Sequence, residues 1–246
     1  MEWTQYAKEI QEVLRLKGSP IAVTFSTQAP SAAIKGKHRV CDAFLKARRG
    51  DVIDLTASTS GCRGGSIYLG LMEPPTGEDQ DALNDFLVNG EKLFCSVAAF
   101  HRMKSLSPKP PTDLADHVIL SPLEKAELRP DLAVFICNPE QACRLLTLDG
   151  YDTGIAPRVH MVGATCYQAI GYPIVTGELN VSVMDFTSRR IRGYSAEDMF
   201  VTVPYHRFHG IMRSIAGCTA GTAKFEVPES FRKSMARAGS QEIETS

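Results

Sequence analysis

The longest apolar runs in this chain are only as long as a strand, and that limits what it can fold into. Leu132 to Cys137 is the clearest example. Nothing approaches the roughly 20 apolar residues that a membrane helix needs. Short β-type runs alternate with stretches of helical periodicity, punctuated by glycine and proline. Ile21 to Phe25, Val52 to Ala57, Leu93 to Phe100, His117 to Leu120, Leu132 to Cys137, His160 to Gly163, Asn180 to Met184 and Met199 to Val203 read as strands. Helices are expected over Trp3 to Lys17, Val40 to Ala47, Asp81 to Leu87, Pro139 to Leu148 and Tyr205 to Ile215. Gly50 is a C-cap glycine and Gly150 a stop. The pattern predicts an α/β chain of the mixed α+β type. It forms one compact domain over residues 1–228, followed by a polar tail over 229–246 that frays.

A loose internal echo runs through this pattern. Ile21-Ala22-Val23 resembles Leu132-Ala133-Val134, and each run is followed by a helix that ends in glycine, Gly50 or Gly150. Each glycine leads to a strand-like run and then to a small-residue turn carrying Cys62 or Cys166. Two pseudo-symmetric halves, about 20–100 and 117–215, would explain the echo, as would ordinary α/β alternation. A true repeat would put Cys62 and Cys166 in equivalent, facing turns.

Composition narrows the function classes. The 246 residues can bury a full core, and 43% are hydrophobic and 22% charged. The formal net charge is −1, so no strong field recruits nucleic acid or an anionic membrane. The first residues are charged and amphipathic, without an apolar signal core, so a cytoplasmic location is expected. Seven cysteines are present and none forms a C-x-x-C pair. An odd count in a reducing compartment argues for free thiols or metal ligands rather than a disulfide framework. Cys95, Cys137 and Cys143 lie on apolar stretches and are expected in the core.

Gly61-Cys62-Arg63-Gly64-Gly65 is the most informative segment. Its glycines let the backbone approach a bulky group, and a helix start near Ser66 together with Arg63 would favour a thiolate. Gly61, Arg63, Gly64 and Gly65 are therefore cofactor-binding candidates. The same reasoning applies to Cys166 in Gly163-Ala164-Thr165-Cys166, and Cys41 opens a helix after a basic stretch. Cys218, in another small-residue turn, and Asp185 are candidate fourth ligands. Three dispersed thiolates suit an iron–sulfur cluster better than structural zinc, whose ligands come in close pairs. Arg189, with Arg190 and Arg192, offers a carboxylate or phosphate contact, or a solvated turn. His206 and His209 share a helix face without a metalloprotease pattern. No nucleotide fingerprint and no hydrolase elbow occurs.

The order of several segments resembles one known family. They are Cys41-Asp42-Ala43; Cys62-Arg63-Gly64-Gly65 with Leu69-Gly70-Leu71; Ser121-Pro122-Leu123-Glu124; Pro130-Asp131 with Asn138-Pro139-Glu140-Gln141; and Gly163-Ala164-Thr165-Cys166 with Asn180-Val181-Ser182. Together they resemble the domain of unknown function 169 family of mostly anaerobic prokaryotes, from Pro20 to about Ile215. The resemblance implies that Cys41, Cys62 and Cys166 are the functional cysteines, and that some relatives carry a further cysteine near Met184-Asp185. It implies no reaction. The expected function is an iron–sulfur protein of oxidoreductase type, acting by redox or sulfur chemistry on a small-molecule substrate or electron carrier. Homo-oligomers are compatible with it, and neither nucleic acid nor membrane is expected as a partner. The alternatives are a non-enzymatic small-anion or cofactor-binding module and a metal-free cysteine-dependent enzyme.

Overall fold

The computed structural model describes residues 2–222 and 227–237. The elements run α1 (Glu2–Leu14), β1 (Ile21–Ser26), α2 (Val40–Arg49), β2 (Ile53–Leu55), α3 (Arg63–Tyr68), α4 (Gly77–Asp85), α5 (Val97–Ser105), β3 (His117–Pro122), β4 (Leu132–Cys137), α6 (Pro139–Gly150), α7 (Tyr172–Thr176), β5 (Asn180–Val183), α8 (Phe186–Arg192), β6 (Met199–Pro204), α9 (Tyr205–Ser214) and α10 (Glu229–Arg237). A π-helical turn, Tyr167–Gly171, leads into α7, so one continuous helix spans 165–176. Among the described residues no helix is long and apolar enough to cross a membrane.

Six strands form one sheet in the order β2-β3-β1-β4-β6-β5, with every neighbouring pair antiparallel. The mixed α+β class follows, with helices on both faces of the sheet. On one face α1, α6 and α9 pack over Ala22, Ala133, Phe135, Val201 and Val203. On the other, α2 and the helix over 165–176 pack over Ile21, Val23, Val134, Ile136 and Phe200. All six residues of β4 are buried because both of its faces are covered. That is why its sequence is a continuous apolar run rather than an alternating one. The amphipathic α2 buries Val40, Cys41, Ala43, Phe44 and Ala47, the spacing of a single core-facing stripe.

The strand order reads the same from either end when β1, β2 and β3 are exchanged for β4, β5 and β6. The register agrees: Ala22 pairs with Ala133, while Ile21 pairs with Val134 and Val23 with Leu132. A pseudo-twofold axis normal to the sheet therefore passes between Ala22 and Ala133. Both β3 and β6 end in proline, and the next N–H donates to an equivalent carbonyl: Leu123 to Pro20 and Tyr205 to Asp131, each at 2.8 Å. The first half extends through β3 to Pro122 instead of stopping near residue 100. Gly50 corresponds to Gly177, not Gly150. Both are left-handed C-caps three residues before the outer strand, β2 or β5, with φ of 120° and 68°.

Other expectations shift as well. The run Leu93 to Phe100 gives way to α5, whose start is fixed by Ser96 accepting from the Ala99 N–H at 3.2 Å. His160 to Gly163 is irregular, because side-chain amides take the place of a neighbouring strand. The His160 N–H donates to Asn180 Oδ1 (2.9 Å), and the Val162 and Gly163 N–H groups donate to Gln168 Oε1 (2.8 Å each). Cys137 is buried, but Cys95 and Cys143 are exposed. The start of the expected tail is helical, as α10, with no buried residue; its remainder lies outside the described residues.

Candidate functional site

The face of the sheet covered by α2 and the 165–176 helix gathers Cys41, Cys62 and Cys166. Cys41 is the second residue of α2, buried, and its carbonyl accepts from the Tyr194 hydroxyl at 2.6 Å. Cys62 is the N-cap of α3. Its turn is tied to the segment before α2 by the Gly61 N–H to His38 O (2.8 Å) and the His38 N–H to Thr59 O (3.0 Å). Gly61 allows that close approach, since a Cβ would stand 3.3 Å from the His38 carbonyl carbon. Cys166 is half-buried and is the second residue of its helix, whose first closing bond runs from the Gln168 N–H to Ala164 O at 3.0 Å. Asp185 is the N-cap of α8 and accepts from the Ser188 N–H at 2.8 Å. Its other oxygen accepts from the Thr165 hydroxyl at 2.9 Å, which ties it to the residue before Cys166.

These four residues form two pairs related by the pseudo-twofold. Cys41 and Cys166 each occupy the second position of the helix that precedes the outer strand. Cys62 and Asp185 each cap the helix that follows it. The expected equivalence of Cys62 with Cys166 is thus replaced: Cys62 follows β2, whereas Cys166 precedes β5. Helix contacts cross the axis in the same way, α2 touching α8 and α3 touching the π-helical turn.

The four approach one another closely enough to interact. A Cβ at Gly65 would lie 3.5 Å from Cys166 Sγ and 3.7 Å from Cys62 Cβ, so this glycine is the notch into which both side chains pack. Burial pushes the Cys166 thiol well up, and the charges of Cys62, Cys41 and Asp185 push it further. Burial also raises the Cys41 thiol, against a hydrogen bond from Ser188. Tyr68 beside Cys166 is raised to about 12, mainly by burial. Three thiols and a carboxylate thus converge, with Arg192, paired to Asp42, as a cation that acts on Cys41. Among the described residues, no three His, Cys, Asp or Glu side chains stand close enough to hold a single metal ion. Thiolates that bind one tetrahedral zinc sit about 3.8 Å apart, given Zn–S bonds of about 2.3 Å.

The remaining candidates lie elsewhere or are already engaged. Cys218 belongs to the core on the opposite face and is not brought to this group. Arg63 pairs with Asp79 at 2.7 Å, both exposed, and Gly64 faces open space. Arg189 donates to the carbonyls of Ser195 and Asp198, Arg192 pairs with Asp42 at 3.3 Å, and Arg190 lies 5.4 Å over the Phe186 ring. Sequence reasoning missed Thr165 and Ser188, which hold Asp185 and Cys41. The local signal of a helix cap, Asp185 three residues before Ser188, is present in the sequence but is common.

No curated protein and no solved structure matches the chain. One family does, the domain of unknown function 169 family, described as "Uncharacterised ArCR", over residues 9–214. With that span matched, the chain belongs to the DUF169 family.

Proposed function

We propose that this protein binds an iron–sulfur cluster through Cys41, Cys62 and Cys166, with Asp185 in the fourth position, and uses it in redox or sulfur chemistry on a small molecule. The observation that carries the reading is the set of two pseudo-equivalent pairs, drawn from four separate helix starts and converging on one face of the sheet. A cluster fits the donor set better than a single ion. Its thiolates attach to different iron atoms and so stand further apart than ligands of one zinc. A cationic centre would also offset the burial, and after it the neighbouring negative charges, that hold the Cys166 thiol protonated.

When bound, a cluster supplies one-electron transfer and an iron site able to take a substrate ligand. The chain's own residues do the rest. Ser188 donates to Cys41, Tyr194 anchors the backbone of Cys41, and Thr165 orients Asp185. A carboxylate binds soft, thiolate-ligated iron less firmly than a fourth cysteine would, which makes Asp185 the exchangeable ligand. The anion-module reading is weakened because Arg63, Arg189 and Arg192 already have partners. The metal-free thiol enzyme is weakened because Cys41 and Cys166 are both held protonated by burial.

The test is anaerobic purification with an absorption spectrum and assays of iron and acid-labile sulfide. Stoichiometric iron and sulfide, lost in Cys62→Ser and Cys166→Ser, is the expected result. A colourless, iron-free protein prepared without oxygen would overturn the reading.

A further inference from the structure

A second concave site lies about 12 Å along the helix from Cys166, taking eight residues at 1.5 Å each. It is a cleft of about 440 Å³ where the end of α7, the start of β4 and the start of α9 meet. That volume falls in the usual range for small-molecule sites, roughly 300–1,000 Å³. Four observations give it chemistry. The helix α9 is ten residues long and opens on the cleft with no capping side chain; the Tyr205 N–H is taken by the Asp131 carbonyl, which leaves the N–H groups of His206 and Arg207 without a partner among the described residues. Tyr205, only 5% exposed, forms part of the wall, and its buried hydroxyl has no hydrogen-bond partner among the described residues. Arg129 and His206 line the same cleft, and neither makes a hydrogen bond or ion pair among the described residues. Burial raises the Tyr205 hydroxyl above its ordinary value, the Glu2 carboxylate adds to that rise and Arg129 opposes it, so both charges lie within reach of the hydroxyl.

The rest of the lining defines the other end of a ligand. Pro173 and Ile174 supply an apolar wall. Asp131 spends one carboxylate oxygen on the Phe25 N–H at 2.7 Å, and its second oxygen is left to accept another donor. His209 also borders the cleft, but it is engaged by the Tyr6 hydroxyl (3.2 Å) and Glu2 (3.4 Å).

We propose that this cleft binds a small carboxylate that carries a hydrogen-bond donor on the adjacent carbon and a short apolar side chain. The carboxylate accepts from Arg129, the Tyr205 hydroxyl and the start of α9. The adjacent hydroxyl or ammonium donates to Asp131, and the side chain lies on Pro173 and Ile174. The inference does not rest on a cluster being present, and it can be tested on protein with or without iron.

The test is calorimetric titration of the full chain with four probes: 2-hydroxyisovalerate, valine, isovalerate and isobutylamine. The structure predicts binding of 2-hydroxyisovalerate or valine, whichever donor Asp131 prefers. Isovalerate, lacking the donor, should bind about tenfold more weakly, and isobutylamine not at all, since hydrogen bonds to charged groups contribute about 1.5–3 kcal/mol. Arg129→Ala, at an exposed position, should abolish binding while leaving thermal unfolding unchanged. Tyr205→Phe, which removes only the unpartnered hydroxyl, should weaken binding without lowering stability. The proposal is overturned if neither 2-hydroxyisovalerate nor valine saturates by roughly 10 mM, if isovalerate binds as tightly as both, or if Arg129→Ala binds like the parent protein.

Discussion

Gly64 and Gly65 allow the packing of the cysteine site to be measured by substitution at adjacent positions. Both lie in α3 with φ outside the left-handed region, so alanine strains neither backbone. At each position it gains up to about 1 kcal/mol in helix propensity and unfolded-state entropy. The surroundings differ. A Cβ at Gly64 meets nothing within 4 Å, whereas at Gly65 it meets Val40 Cγ2 at 2.9 Å, Cys166 Sγ at 3.5 Å and Cys62 Cβ at 3.7 Å. The first contact is about 0.6–1 Å inside the optimal carbon–carbon separation of about 3.5–4.0 Å. Val40 is fully buried and β-branched, so it cannot rotate away freely. Relief must come from α2 and α3 moving apart, at the 1–3 kcal/mol, roughly, of an overpacked core. Gly64→Ala should therefore stabilise by up to about 1 kcal/mol, and Gly65→Ala should lie about 1–3 kcal/mol below it. Urea unfolding followed by circular dichroism reads the difference as a shift in midpoint at constant slope. If both variants gain equally, the close approach of α3 to Val40 of α2 at Gly65 is wrong, and with it the packing that frames the cysteine site.

Two further predictions concern buried carboxyls. Burial raises the Asp131 carboxyl above its ordinary value, outweighing the Phe25 N–H that pulls it down. Between the unfolded value of about 3.9 and the raised folded value, the folded chain holds more protons than the unfolded one. Stability therefore falls as pH rises through that window. Asp131→Asn keeps an acceptor for Phe25 and loses the charge, so its melting temperature should exceed the parent's at pH 7 and converge with it toward about pH 3.9; no gain at pH 7 would refute this. Asp149, with a side chain 3% exposed, pairs with Arg207 at 2.5 Å, yet burial still raises its carboxyl. Arg207→Met leaves that charge buried and unpaired. It should cost about 3 kcal/mol, the lower end for a broken buried pair because Arg207 is itself partly exposed. Adding Asp149→Asn should recover most of the loss in urea unfolding, and a single-variant loss under about 1 kcal/mol would show that the pair is solvated.

Much of the fold was legible locally. The apolar run of β4 announces a strand covered on both faces, and Asn138-Pro139 with Gln141 forms the capping box that starts α6. Gly50 ends α2 as its sequence suggests. What failed was non-local. The strand expected at His160 has the right composition, but its hydrogen-bond partners are the side chains of Asn180 and Gln168, which no window around His160 reveals. Cys62 and Cys166 were readable because they sit in glycine-bearing turns, and Cys41 because it opens a helix after a basic stretch. Their pairing was not, because Ile21-Ala22-Val23 and Leu132-Ala133-Val134 mark the axis, while the equivalent glycine is Gly177, after the helix whose second residue is Cys166. α6 intervenes on the opposite face of the sheet and displaces the second copy of the pattern, so counting from Gly150 aligned the wrong turns.

The pseudo-twofold also explains why a site should form where it does. Two elements related by an axis approach each other most closely at that axis. Residues that start the flanking helices of each half are therefore brought together on the face those helices cover. Cys41 and Cys62 come from one half, Cys166 and Asp185 from the other. Symmetry by itself would equip such a place with four like donors. Here three positions hold cysteine and one holds a carboxylate, fixed by the Thr165 hydroxyl and the Ser188 N–H rather than left to swing. A group bound on the axis would meet the same chemistry on three sides and a different one on the fourth, and under the function proposed above that fourth side, at Asp185, would be where a substrate enters.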